Sequence, residues 1–298
     1  MNILIIGSKG FIGSHCVRYF SAAHNVSGAD ILPGNPGENY FTISAIQPDF
    51  DAVFSNQNFD ICINCSGAAS VPDSLKDPLH DFELNTMNVF KMLESISRHL
   101  PACRFLNLSS AAIYGNPDFL PVKESGAFHP LSPYGWHKYY AEMICREFFI
   151  SKKINTCSIR IFSAYGEGLK KQLFWDIYQK TKRSNQVLLF GTGHESRDYI
   201  YVQDLMKAIE SVINNAAFIG ECINVASGRE ITLREAAETL ICHLGKKITL
   251  QFSNENRSGD PLNWCADIST LQAMGYQPQF SLHQGLKNYV EWLQAEKL

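Results

Sequence analysis

The apolar run Asn2-Ile3-Leu4-Ile5-Ile6 leads directly into Gly7-Ser8-Lys9-Gly10-Phe11-Ile12-Gly13, after which Cys16, Val17 and Phe20 recur at helical spacing. A buried strand, a glycine turn and a helix in that order admit few folds. Missing side chains let the backbone approach a ligand closely, and the N–H groups and dipole of a helix start favour negative charge. The stretch Gly7, Gly10, Phe11, Ile12, Gly13 therefore predicts a cradle for a phosphate pair. Val26-Ser27-Gly28-Ala29-Asp30 reads as a second short strand, ending in an acid 20 residues after Gly10. That is where a carboxylate meets the adenosine ribose hydroxyls of a bound dinucleotide. An acid there repels a 2′-phosphate, which favours NAD over NADP; the bland alternative is an aspartate capping a turn.

Residues 60–65, 104–108 and 156–162 read as further buried strands, with a short strand near 40–43 and a helix near 50–55. Ser66-Gly67-Ala68-Ala69 permits close backbone approach, and Ala68 joins the candidate cofactor contacts. Across residues 82–96, Phe82, Leu84, Met87, Val89, Phe90, Leu93 and Ile96 make a helix too widely apolar for one buried face, which predicts contact with the sheet and with a second subunit. The alternation of strands and helices predicts an α/β fold, a doubly wound parallel sheet of Rossmann type. After residue 163 the pattern loosens into a smaller C-terminal α/β lobe. The expected division is 1–165 for dinucleotide binding and 166–298 for substrate, with a strand near 221–226 returning to the main sheet. The second lobe is expected to hold helices near 173–182 and 286–293, a strand at 187–190, and a helix capped by Thr232 with Glu235 in capping-box position.

Ser132-Pro133-Tyr134-Gly135-Trp136-His137-Lys138 starts another helix, since serine caps free N–H groups and proline at the first helical position loses nothing. Tyr134 and Lys138 are four residues apart and share a face, where a fixed ammonium favours the phenolate and lowers a phenol pKa normally near ~10. Spacing alone is weak evidence, because surface helices produce it often. Ser110 ends the strand 104–108 at the carboxyl edge of the predicted sheet, the edge where ligands bind, and could bridge a substrate hydroxyl and Tyr134. As a bland alternative it merely ends a strand.

With 298 residues, 45% hydrophobic and 18% charged, the chain can bury a large core, and a net charge of −3 supplies no basic stripe for nucleic acid. It begins directly on a strand and holds no apolar run approaching ~18 residues, so no membrane association and a cytoplasmic location are expected. Nine cysteines without framework spacing suit reduced thiols. Cys62 and Cys65 fall in a strand, where positions three apart point to opposite faces, and the nine histidines show no metal-ligand spacing, so no metal is expected.

The glycine turn, Asp30, Ser110 and the Tyr134/Lys138 pair together resemble the extended short-chain dehydrogenase/reductase family, particularly NAD-dependent nucleotide-sugar epimerases and dehydratases. Asn85-Thr86-Met87-Asn88-Val89 is similar to the family's Asn-Val-x-Gly-Thr motif, and Ser109-Ser110-Ala111-Ala112-Ile113-Tyr114-Gly115 to its Ser-Ser-x-x-x-Tyr-Gly motif. Arg197-Asp198-Tyr199-Ile200-Tyr201-Val202-Gln203-Asp204 resembles its Arg-Asp-Tyr-x-x-Val-x-Asp segment, and Arg257-Ser258-Gly259-Asp260 its late phosphate-binding stretch. The resemblance covers nearly the whole chain. It implies Ser110, Tyr134 and Lys138 as catalytic residues, with Tyr134 and Lys138 also touching the cofactor. Asn85 stands with the cofactor set and helps hold the active-site helix. Arg197 and Arg257 would grip the diphosphate of a nucleotide-diphosphate sugar, Phe190 would pack on its base, and Ser163 would contact it. Ser163 stands where most members carry asparagine. The implied reaction is epimerisation at C4 through a 4-keto sugar, in a homodimer. Ala111 and Ala112 occupy positions where dehydratases carry an acid pair. The rival readings are a 4-ketoreductase using NAD(P)H, against which Asp30 stands, and a non-catalytic dinucleotide-binding protein, against which the joint serine, tyrosine and lysine stand.

Overall fold

Asn2–Ile6 (β1) sends Ile3 and Ile5 into one apolar cluster and Leu4 and Ile6 into another, all at most 2% exposed. A strand buried on both faces belongs in the middle of a parallel sheet covered by helices on each side. Each such side chain contributes roughly 1.5–3 kcal/mol of burial, so this strand alone anchors the first lobe. The computed structural model describes residues 1–35, 39–255, 257 and 259–296; Ser258 and the last two residues of the expected second lobe lie outside them.

After β1 come α1 (Phe11–Phe20), β2 (Asn25–Asp30), β3 (Tyr40–Thr42), α2 (Asp51–Asn56), β4 (Ile61–Asn64), α3 (Val71–Lys76) and α4 (Pro78–Phe82). A π-helical turn (Glu83–Met87) joins α4 to α5 (Asn88–His99), followed by β5 (Arg104–Ser110), a 3-10 turn (Ala111–Tyr114), α6 (Pro133–Lys152), β6 (Thr156–Ile161) and β7 (Ser163–Tyr165). The remainder runs α7 (Gln172–Thr181), β8 (Gln186–Leu189), β9 (Ser196–Tyr201), α8 (Val202–Asn215), β10 (Ile219–Val225) and β11 (Glu230–Thr232). It ends with α9 (Leu233–Leu244), β12 (Thr249–Phe252), α10 (Ser269–Ala273) and α11 (Leu282–Ala295).

Among the described residues, seven parallel strands form the main sheet in the order β10-β6-β5-β4-β1-β2-β3. The order reverses between β1 and β4, opening a crevice at their carboxyl ends where the glycine turn and Ser66-Gly67 meet. Cys62 packs in one core cluster, while Cys65 meets the other with its Sγ 4.0 Å from that of Cys16. A three-stranded sheet, β11-β9-β7, and a parallel pair, β12-β8, account for the other strands.

Local chemistry departs from expectation at two helices. The helix through Asn85 is not uniformly α-helical: the π-turn rotates Asn85 and Thr86 inward, where both are buried. At α9 half of the capping box forms, Thr232 Oγ1 accepting from Glu235 N at 3.1 Å. The full reciprocal box occurs at α11, between Ser281 and Gln284.

Candidate active site

Gly7 adopts φ +80°, and a Cβ on it would lie 2.7 Å from the backbone of Cys65 and Ser66. A Cβ on Gly13 would lie 2.0 Å from the Gly7 carbonyl oxygen. Neither contact leaves room for a side chain, so the two glycines let α1 begin directly against the β1 and β4 ends. Gly10 caps α1 without any side-chain hydrogen bond, leaving the helix start to an external anion. Phe11 and Ile12 anchor its first turn against the core. Asp30 stands beside this turn, accepting from Lys9 N at 2.9 Å and Leu32 N at 3.2 Å. A backbone cradle with an acid at the next strand end fits a dinucleotide carrying free ribose hydroxyls.

Across the crevice, Ser132 Oγ accepts from Gly135 N at 3.3 Å and Pro133 opens α6. Tyr134 and Lys138 are 9% and 6% exposed. Lys138 Nζ donates to Leu108 O at 2.9 Å, tying the helix to β5. Ser110 Oγ accepts from Ala112 N at 3.1 Å, which fixes the hydroxyl at the strand end. The expected lowering of Tyr134 by Lys138 does not hold here. Burial pushes the phenol up to about 12, the Ser110 hydrogen bond pulls it down, and the Asp81 charge raises it further. In so dry a place the cost of a phenolate outweighs a neighbouring ammonium that is itself destabilised.

Burial pulls Lys138 down to about 8 from its ordinary 10.5, with Asp81 foremost among the charges that oppose the shift. The unfolded chain thus holds this proton more tightly than the fold does. The resulting loss of stability is complete below the folded pKa of about 8, fades as pH rises, and is gone above 10.5. Lys138→Met removes this titrating group and with it the proton-linked part of the pH dependence. Urea melts should show that it flattens the wild-type rise in stability between pH 8 and 10.5.

Buried polar groups that the sequence did not announce support this pair. Glu142, one turn beyond Lys138, accepts from Ser109 Oγ at 2.5 Å and pairs with Arg160 at 2.9 Å. Arg160 also donates to Tyr114 Oη at 2.7 Å, which donates to Asn224 Oδ1 at 2.7 Å. The network joins α6 to β5, β6 and β10. Losing one partner of so buried a pair typically costs about 3–5 kcal/mol, which makes it a rigid support. Asn85 Nδ2 donates to Ala68 O at 3.0 Å and to Asp81 Oδ1 at 3.1 Å, while its buried Oδ1 has no partner. Asp81 Oδ2 lies 2.6 Å from His137 Nδ1. His137 is visible inside the Tyr134–Lys138 stretch, but nothing local pointed to a partner 56 residues away.

The smaller lobe brings Phe190, Arg197 and Arg257 to one cleft, also lined by Glu195, Asp260 and Leu262. Phe190 is 54% exposed rather than core-packed, with the Arg257 guanidinium 6.0 Å from its ring centre. Arg257 Nε pairs with Asp260 at 3.1 Å, and Arg197 donates to Leu262 O at 3.1 Å and lies over Trp264. Ser163 lies apart from this cleft, on β7 opposite Tyr199.

The sequence pattern of the NAD dependent epimerase/dehydratase family matches residues 3–226. A putative UDP-glucose 4-epimerase of Methanocaldococcus jannaschii is 26% identical over 98% of this chain and 98% of its own. The Thermotoga maritima UDP-glucose 4-epimerase with UDP-glucose superposes with a TM-score of 0.91 at 26% identity, covering 100% of both chains. The Methanobrevibacter ruminantium UDP-N-acetylglucosamine 4-epimerase, in complex with UDP-N-acetylmuramic acid, gives 0.89 at 25%, covering 99% of this chain and 98% of the other. With a glycine cradle, an acid at the second strand end and a serine, tyrosine and lysine gathered at the crevice, this chain belongs to the NAD dependent epimerase/dehydratase family.

Proposed function

We propose that the protein is an NAD-dependent nucleotide-sugar 4-epimerase working through a 4-keto sugar. The observation that carries this reading is the hydrogen bond between Tyr134 and Ser110 at the end of β5, with Lys138 Nζ held by Leu108 O and 3.5 Å from where a Cβ on Gly67 would lie. Gly7, Gly10, Phe11, Ile12 and Gly13 would hold the pyrophosphate of NAD and Asp30 its ribose, with Ala68 and Asn85 lining the same crevice. When bound, the cofactor supplies a reversible hydride acceptor for the sugar C4. Tyr134 Oη would take the proton of the 4-hydroxyl and return it once the keto ring has turned over. Ser110 Oγ would hold that oxygen, and the Lys138 charge would favour the phenolate. Ala111 and Ala112 offer no acid or base, which disfavours loss of water.

Residues 1–165 together with β10 would form the dinucleotide lobe, and the rest of 166–298 the sugar-nucleotide lobe. There Arg197 and Arg257 would clamp the diphosphate and Phe190 would stack on the base, while from the first lobe Ser163 would offer a hydroxyl to the same substrate. Met87 and Phe90 on the α4–α5 span and Trp136 and Tyr140 on α6 are 38–42% exposed, an apolar face suited to a second copy in a homodimer. No helix among the described residues is long and apolar enough to cross a membrane, in keeping with a cytoplasmic enzyme.

Denaturing freshly purified protein and identifying the released nucleotide by mass spectrometry tests the reading, together with proton NMR of UDP-glucose and UDP-N-acetylglucosamine incubations. Stoichiometric NAD(H) and the appearance of 4-epimers are expected. Protein that emerges empty, binds NADPH and consumes it with a 4-keto sugar would replace the epimerase by a ketoreductase.

A further inference from the structure

Asp81 is a carboxylate with 3% exposure, and no lysine or arginine among the described residues pairs with it. An isolated charge so buried is costly unless its surroundings compensate it. Its partners are His137 Nδ1 at 2.6 Å on one oxygen and Asn85 Nδ2 at 3.1 Å on the other. A carboxylate oxygen can only accept, so the proton between Asp81 and His137 sits on the imidazole nitrogen. Thr86 Oγ1 donates to His137 O at 2.9 Å, locking the π-turn to the same residue of α6. With its Nδ2 held by Asp81 and Ala68, Asn85 has one orientation, and its unpartnered Oδ1 is turned toward the space before Gly67. A Cβ on Gly67 would lie 2.5 Å from that Oδ1 and 3.5 Å from Lys138 Nζ.

We infer that Asp81 and His137 are positioning residues for the Tyr134–Lys138 pair: the buried carboxylate orients Asn85 and acts as counter-charge to Lys138, and His137 holds it in place. The role in turnover rests on the epimerase reading; the effect on Lys138 does not. Three elements pack around Asp81. From α6 it touches His137, while Lys138 and Tyr134 lie within reach of its charge; on its own helical span it meets Asn85, while His80 and Glu83 pair outward at 3.8 Å. From α3 come Asp73 and Lys76, which pair with each other at the exposed surface at 3.9 Å. Lys138 is therefore the cation left to answer the carboxylate. The Asp81 charge raises both Lys138 and Tyr134. Removing it should move the proton affinities of both groups downward together.

Asp81→Asn provides the test, read in two ways. The first is the pH dependence of urea unfolding, which needs neither cofactor nor turnover. The rise in stability that begins near pH 8 in the wild type as Lys138 loses its proton should begin about one unit lower in the variant. The second is the pH profile of kcat for UDP-glucose, whose acid and alkaline limbs should both move toward acid while KM stays within a few-fold. His137→Leu should reproduce both shifts in part, and His137→Gln, which keeps a donor, should lie nearer the wild type. A stability rise that stays in place in Asp81→Asn and His137→Leu, with activity merely lower at every pH, would overturn the inference. If the rise moves but wild-type protein leaves UDP-glucose and UDP-N-acetylglucosamine unchanged, the Asp81–Lys138 coupling stands and the epimerase reading falls.

Discussion

Tyr134→Phe is expected to fold, retain NAD and lose about 10³-fold in turnover, the usual range for removing a positioned proton-transfer group. The ring is 9% exposed and sits in the first turn of α6, so phenylalanine keeps its packing. The helix cap at Ser132 and the Lys138–Leu108 hydrogen bond do not involve the phenol oxygen. The phenol is uncharged at neutral pH in the folded and the unfolded chain alike, so the substitution forgoes only its hydrogen bond with Ser110. Stability should accordingly change by no more than about 1 kcal/mol. In the proposed mechanism what disappears is the oxygen that exchanges a proton with the sugar 4-hydroxyl. Kinetics by NMR on a nucleotide sugar turned over by the wild type, with urea melts as a control for folding, decide the matter. Activity within a few-fold of wild type would place the proton transfer on another group.

Gly13→Ala should lower NAD affinity by at least 100-fold, about 3 kcal/mol, and destabilise the fold by roughly 1–3 kcal/mol. The added methyl would lie 2.0 Å from the Gly7 carbonyl oxygen, 2.8 Å from its carbon and 2.9 Å from Ser8 Cα. All three atoms belong to the backbone, so no flexible side chain can swing aside. The start of α1 would have to retreat from the turn, carrying the N–H groups away from the phosphate site. Gly10→Ala is the informative comparison, because its Cβ would meet only the Gly7 oxygen, at 3.2 Å. It should fold nearly as well as the wild type. Calorimetric titration with NAD and urea melts of both variants measure the two effects, and an unchanged NAD Kd in Gly13→Ala would show that the turn does not hold the phosphates.

Much of the first lobe was legible because its signals are local. A strand buried on both faces reads as an apolar run, as Ile3–Ile6 of β1 does, and helices announce themselves through caps such as Ser132-Pro133. Gly7 and Gly13 were legible for the same reason, since only a missing side chain satisfies contacts of 2.0–2.9 Å to backbone. The second lobe was harder. Two of its strands are short and half-exposed, β8 alternating between buried and exposed positions and β12 lacking a fully buried residue. The exposure of Phe190 beneath Arg257, and the separation of Ser163 from that cleft, depend on how turns far apart in the chain come together.

The residue types that could perform the chemistry, their order along the chain and the sheet edge that presents them were determined by the sequence alone, because each rests on spacing within one element or on one strand end. The electrostatics were decided by the tertiary structure. A four-residue spacing puts a phenol and an ammonium on one face, but says nothing of how dry that face is. Burial pushes Tyr134 up and Lys138 down. The charges that oppose the shift at Lys138 are Asp81, reaching it from α4, and Glu142 on α6 itself, paired with Arg160 of β6; Asp81 and Arg160 come from elements distant in sequence and are brought to α6 only by the fold.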